Sequence, residues 1–296
     1  MSTQQTAKTY FIEGSKGTFA YRRFGASTGT PLLALIHYRG TIDKWDPLFI
    51  NSLATSRPLI LVDYLGIGKS TGRVATSFAD SADDIVEFLS LIKVTELDVL
   101  GFSVGGVVAQ LIALNQPGSL KIQHLIICGS TASVGPDMPV STNDSSSAHV
   151  ENLKREDFNT LLFSHDDVGK EATLAYWKRL GERTKESSGE DVTDWVSQGF
   201  VDGGAAMKAQ QQAYGAILTP ELSQGRDGTY DRLTELKMPV LVTQGSDDFL
   251  FPTMNSYQLQ QKVPNGQLIV YPHSSHGFLY QHAERVAQDI VAFLGR

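Results

Sequence analysis

A single cysteine, Cys128, excludes any internal disulfide framework. It lies in the apolar run Leu125-Ile126-Ile127-Cys128, where a buried core thiol is expected over a reactive one. No apolar run is long enough to span a bilayer. Met1 to Tyr10 is polar and lacks the apolar stretch of a signal peptide, and Phe293-Leu294-Gly295-Arg296 carries no lipidation or retention signal. The expectation is therefore a cytoplasmic protein, with the Asn143-Asp144-Ser145 sequon idle because glycosylation needs the secretory route. Positive charge is also scarce. A net charge of −7 over 296 residues disfavours nucleic acid and membrane surfaces as partners, since both are negative, and plain solubility accounts for it. Internal repeats are absent, and the only biased tract is the Ser-, Asn- and Asp-rich stretch Val140–His149, which reads as a loop.

What is present is an ordinary globular balance, 41% hydrophobic and 19% charged, enough for a sizeable core. Short apolar, β-branched runs read as strands at Thr18–Phe24, Pro31–His37, Pro58–Asp63, Leu97–Phe102, Ile122–Cys128, Val240–Gln244 and Gln267–Tyr271. Helical patterns lie between them. Phe78–Ile92 puts Ile85, Phe88, Leu89 and Ile92 on one face, Gly105–Asn115 is apolar nearly all round, and Tyr280–Leu294 has Val286, Ile290 and Phe293 in register. Near-continuous apolar strands alternating with helices predict an α/β fold with a mostly parallel sheet covered on both faces. The rhythm breaks from about Ser133 to Lys237, where only helical patterns occur, at Arg155–Phe163, Val168–Arg183 and Val192–Leu218. Their apolar faces, with Leu174, Trp177 and Leu180, then Met207, Ala213 and Ile217, predict a helical lid resting on a core of residues 1–132 and 238–296, with the lid spanning 133–237.

The chemistry centres on Gly101-Phe102-Ser103-Val104-Gly105. It matches G-x-S-x-G between a strand and a helix, which places Ser103 on a tight turn above the carboxyl end of the sheet. A structural serine in a glycine-rich turn is the bland alternative; the strand–turn–helix context weighs against it. A serine hydroxyl is a poor nucleophile at neutral pH and needs a base, which needs an orienting acid. The strand Val240–Gln244 is followed by Gly245-Ser246-Asp247-Asp248, and Gln267–Tyr271 by Pro272-His273-Ser274-Ser275-His276-Gly277. Of the seven histidines, only His273 and His276 lie in the loop after the last strand, and His276 sits further into it. His273 and His276 have no evident third partner for a metal, so no metal and no cofactor are expected. Gly68-Lys69-Ser70 lacks the earlier glycine of a phosphate loop, where Asp63 stands, and Thr71-Gly72-Arg73 rather than a helix follows it.

Together, His37-Tyr38-Arg39-Gly40, Asp63-Tyr64-Leu65-Gly66-Ile67-Gly68-Lys69-Ser70, Gly101-Phe102-Ser103-Val104-Gly105-Gly106, Gly245-Ser246-Asp247-Asp248 and His276-Gly277 resemble the α/β-hydrolase superfamily. The likeness is nearest to its small esterase, lactonase, cofactor-free haloperoxidase/perhydrolase and C–C hydrolase members, and covers about Thr18–Thr131 and Pro239–Arg296. The helical lid matches nothing in it and is read as an insertion between strands 6 and 7 of that fold; the resemblance implies a triad of Ser103, Asp248 and His276. Asp248 is favoured over Asp247 as the fourth residue of G-x-x-D, with Pro252 following. It implies an oxyanion hole formed by the Val104 N–H and by that of Arg39, with Tyr38 N–H as the alternative, since Tyr38 stands where the family usually has glycine. Candidate pocket residues are His37, Phe102, Trp177, Trp195 and Phe249. The implied function is hydrolysis of a carboxylic ester or lactone of a mainly apolar small molecule through an acyl-enzyme. Alternatives are C–C cleavage, perhydrolysis or cofactor-free oxygen chemistry on the same triad, and a slow-turnover small-molecule sensor. The expected partner is a small-molecule substrate, with the chain a monomer or homodimer.

Overall fold

The apolar runs pair into one eight-stranded sheet in the computed structural model, which describes residues 2–136, 138–139, 155–182 and 204–295. The strands are β1 (Tyr10–Glu13), β2 (Thr18–Gly25), β3 (Leu32–Leu35), β4 (Pro58–Val62), β5 (Glu96–Phe102), β6 (Lys121–Cys128), β7 (Val240–Gly245) and β8 (Gly266–Tyr271). Their order across the sheet is β1-β2-β4-β3-β5-β6-β7-β8. β2 runs antiparallel to β1 and β4, and every other neighbour pair is parallel. β3, β4 and β7 are buried along their whole length, as strands covered on both faces must be. The edge strand β1 is mostly exposed. It escapes the sequence reading because Tyr10–Glu13 is short and lies in the polar N-terminal stretch.

The helices among the described residues are α1 (Pro47–Ala54), α2 (Phe78–Leu91), α3 (Val104–Asn115), α4 (Arg155–Leu162), α5 (Asp167–Leu180), α6 (Gly204–Leu218), α7 (Pro220–Ser223), α8 (Thr253–Lys262), α9 (Phe278–Gln281) and α10 (Ala283–Leu294). None is long and apolar enough to cross a membrane. α1 packs against α10 and α2 against α3. The helix expected over Tyr280–Leu294 is two helices, because His282 (φ −111°, ψ 38°) leaves the helical region. α1 went unpredicted although it carries a start signature: Asp46 accepts the Leu48 N–H (2.9 Å) and Pro47 stands at the first helical position.

α4 to α7 lie between β6 and β7. Only Gly204–Leu218 of the helix expected over Val192–Leu218 falls within the described residues. The face of α5 is rotated from expectation, while α6 buries Ala213 and Ile217 as expected. Leu180 is buried as expected, but Leu174 is 71% exposed, and α5 buries Tyr176 in its place. α6 buries Ala206, Gln210, Ala213 and Ile217, with Met207 beside the stripe. The rotation of α5 follows from anchors that periodicity does not reveal. Tyr176 stacks on Tyr280 at 4.7 Å and donates to Lys44 O (2.8 Å), while Arg179 pairs with Asp46.

Candidate active site

Four loops leave the sheet at the carboxyl ends of β3, β5, β7 and β8, and in a parallel sheet these ends share one edge. Ser103 follows β5 directly, at φ 58° and ψ −127°, a backbone state that L-residues rarely adopt. The turn is held from outside: Ser103 N–H donates to Cys128 O (2.9 Å), and Ser130 Oγ donates to Ser103 O (2.6 Å). A Cβ on Gly101 would fall on the Gly105 carbonyl, and one on Gly105 on the Leu35 carbonyl, so strand and helix approach this closely only with glycine at both places. Val104 opens α3, where first-turn N–H groups have no partner inside the helix. Cys128 is a buried core thiol, and burial pushes it up to about 12.

His276 is 1% exposed, whereas His273 of the same loop is exposed. The His276 Nδ1 lies 2.7 Å from Asp248 Oδ2. Asp248 is buried, and its carboxylate also accepts from Leu250 N (2.9 Å), Phe251 N (3.0 Å) and Gln244 Nε2 (3.1 Å). Asp247 is exposed, and its carboxylate accepts from Ser246 Oγ (2.6 Å), facing the loop exterior. The His276 ring packs 5.0 Å from that of Phe102, the residue before Ser103, and 5.5 Å from that of Phe251. Among the described residues Ser103 Oγ makes no hydrogen bond to His276; such bonds often tighten only around a bound substrate. No group of three or more His, Cys, Asp or Glu placed to hold a metal occurs among them either.

The loop after β3 is a turn closed by Gly40 N–H on His37 O (2.9 Å), with Arg39 in the left-handed region at φ 57°. The Arg39 N–H points not into open space but at Gln210 Oε1 of α6, 3.0 Å away. The His37 Nδ1 lies 2.8 Å from Tyr38 O, and burial lowers the ring to about 4, so it is neutral and Nδ1 donates. Its other nitrogen, Nε2, is buried without a hydrogen-bond partner among the described residues. Below this loop, the Asp63 carboxylate accepts from Ile42 N (2.7 Å) and Lys69 N (2.9 Å), tying the β3 and β4 loops together. Burial raises Asp63 to about 7. That role explains the Asp63–Ser70 segment without any phosphate chemistry.

A family model for the alpha/beta hydrolase fold matches residues 34–283. The chain belongs to the alpha/beta hydrolase fold family. It is 26% identical over 274 residues to a 2-hydroxymuconate semialdehyde hydrolase of Pseudomonas putida, covering 90% of this chain and 87% of that one. It is 25% identical over 266 residues to a bifunctional esterase/perhydrolase of Acinetobacter calcoaceticus, covering 85% and 87%. An α/β-hydrolase fold protein from Chitinophaga pinensis superposes with a TM-score of 0.83 at 32% identity, covering 99% of both chains.

Within this α/β-hydrolase, four of the expected pocket residues fall among the described residues. His37 and Phe102 sit beside the site with ring centroids 5.5 Å apart. Trp177 packs on Tyr176 and on Phe158, which in turn packs on His37, and it donates to Asn159 Oδ1 (2.6 Å). Phe249 packs edge-on to His165. Trp195 lies outside the described residues. The cavity beside Val104 is lined by none of these four described candidates but by Tyr64, Leu65, Phe78, Val108, Gln210 and Ala213, among others. Sequence reasoning missed Gln244, Tyr64 and Gln210. Gln210 had a signal: a polar residue on the otherwise apolar stripe Ala206, Ala213, Ile217.

Proposed function

We propose that this protein is a serine hydrolase that cleaves a carboxylic ester or lactone of a mainly apolar small molecule. In this reading Ser103 attacks the carbonyl and His276 takes its proton. Asp248 accepts the His276 Nδ1–H, keeping Nε2 free as the base and stabilising the imidazolium that forms. The oxyanion is received by the N–H groups of Val104 and Arg39, and His276 then activates water to release the acyl group. The helices between β6 and β7, within residues 133–237, act as the lid. The observation that supports this most is the buried 2.7 Å contact between His276 and Asp248, with the imidazole against Phe102 at the base of the serine turn. The aromatic surroundings, His37 with Phe158 at 5.6 Å and Phe251 with Tyr214 at 6.0 Å, favour an apolar substrate.

Ser103→Ala should keep the fold and lower turnover on activated esters and lactones by several orders of magnitude. A serine-directed phosphonate should label Ser103 alone, read by mass spectrometry. A variant retaining more than about a tenth of parent turnover sinks the assignment. Multiple turnovers by the parent separate an enzyme from a sensor that is labelled once without release. A second reading keeps these residues and changes the reaction to C–C hydrolysis or perhydrolysis. It is supported by the likeness to a semialdehyde hydrolase and an esterase/perhydrolase, and is tested by adding peroxide and dione substrates to the same panel.

A further inference from the structure

Gln210 is the one polar residue on the buried stripe of α6, and it is 5% exposed. Burying a carboxamide on an apolar face is unfavourable unless it is bonded, and here Oε1 accepts the Arg39 N–H at 3.0 Å. The acceptor is an sp² carbonyl oxygen on the same N–H assigned above to the carbonyl oxygen of the substrate. A backbone N–H makes one strong hydrogen bond, so Gln210 and an oxyanion compete for it. The carboxamide has a second effect. It walls the cavity that Val104 also lines, together with Tyr64, Phe78, Val108 and Ala213. That cavity is about 20 Å³, room for one or two water-sized groups and no more. The Tyr64 hydroxyl, buried and without a hydrogen-bond partner among the described residues, belongs to its lining. Ser103 and His276 do not line it; Val104, the residue after the serine, is where it meets the serine turn.

We infer that Gln210 is a specificity-determining residue: in the free protein its carboxamide occupies the place of the substrate's carbonyl oxygen on Arg39 N–H, and it walls the cavity past Val104 that we assign to the far end of the acyl group. The substrate must displace the side chain, and the same displacement frees the donor and lengthens the pocket. Short acyl groups gain only the donor, and longer ones need the space as well. This inference rests on the serine-hydrolase reading above.

The test is the second-order rate of covalent labelling by methyl and octyl fluorophosphonates, whose phosphoryl oxygen takes the position of the oxyanion. It compares the parent with Gln210→Met, Gln210→Ala and Ser103→Ala, each checked for folding by circular dichroism. Gln210→Met keeps the bulk and removes the acceptor, so it should be labelled roughly two- to tenfold faster by both probes, the worth of one neutral hydrogen bond. Gln210→Ala should show that gain plus a further one for the octyl probe alone. If Gln210→Met is folded, modified at Ser103 and no faster than the parent, the carboxamide does not compete with the ligand and the inference falls. Equal gains for both probes in Gln210→Ala overturn the claim on acyl length. Slower labelling of both variants would make Gln210 a support for the Arg39 turn instead. If the parent is not labelled at Ser103, or Ser103→Ala is labelled as fast as the parent, the nucleophile assignment itself fails, and the inference with it.

Discussion

At the scale of single residues, the contrast between two adjacent acids is the most instructive. Asp247 and Asp248 have the same chemistry and follow the same strand, but only Asp248 is buried against His276. Its carboxylate holds four donors, two backbone and two side-chain, so an asparagine there must turn its NH₂ toward some of them. Asp248→Asn should therefore lower turnover by up to about ten-thousandfold, with a smaller loss of stability from the misplaced donors. Asp247→Asn should change turnover little, because that side chain faces outward to Ser246. Steady-state kinetics of the two variants, normalised to folded protein, decide it. Equal losses would mean that Asp248 serves the loop rather than the base.

At the scale of elements, α5 is tied to the core by particular polar side chains as well as by its buried Tyr176 and Leu180. Arg179 of α5 reaches Asp46 through Nε (2.8 Å) and Nη2 (2.5 Å), while Asp46 also caps α1. Burial raises the Asp46 carboxyl, and the Arg179 and Leu48 donors work against that shift. Removing the guanidinium leaves a buried carboxylate short of partners, and Arg179→Ala should cost roughly 2–4 kcal/mol, tempered because the Arg179 side chain is 19% exposed. Pairing it with Asp46→Asn should recover part of the loss, since the uncompensated charge is then gone. Urea unfolding of the single and double variants measures both. Additive losses would show that the pair is not the link between α5 and α1.

At the scale of the whole molecule, two buried groups beside the site tilt stability against pH in opposite directions. His37 is lowered from 6.5 to about 4 by burial. Between those values the unfolded chain takes up a proton that the folded one does not, so stability is lost as pH falls from 6.5 to 4. Asp63 is raised from 3.8 to about 7, so the folded carboxyl keeps a proton that the unfolded chain has shed. Its effect favours the fold at low pH and fades as pH rises across nearly the same window. The parent alone would hide both. The difference in unfolding free energy between the parent and His37→Phe should isolate the histidine, growing in the parent's favour from pH 4 to 6.5 by up to about 3 kcal/mol. A difference constant with pH would mean that His37 is protonated in the folded state.

The core strands, the order of the loops and the serine turn were legible because each is local. Apolar runs, a glycine-flanked serine and polar residues after strands follow from neighbours in the chain. The resemblance to the α/β hydrolases rested on such segments, and the family match over residues 34–283 agrees with it. Other features are contacts between residues far apart in sequence, and only the tertiary structure decided them. The rotation of α5 depends on Tyr280 and Asp46, more than a hundred residues away on either side. The resemblance favoured Asp248 over Asp247 through the frame of Gly245 and Pro252, but the physical reason, a loop that turns Asp248 toward His276, belongs to the tertiary structure. The engagement of Arg39 by Gln210 joins residues separated by 171 positions. Periodicity reports which face of a helix is apolar, but it carries no information about which partner will be there to meet the one polar residue on that face.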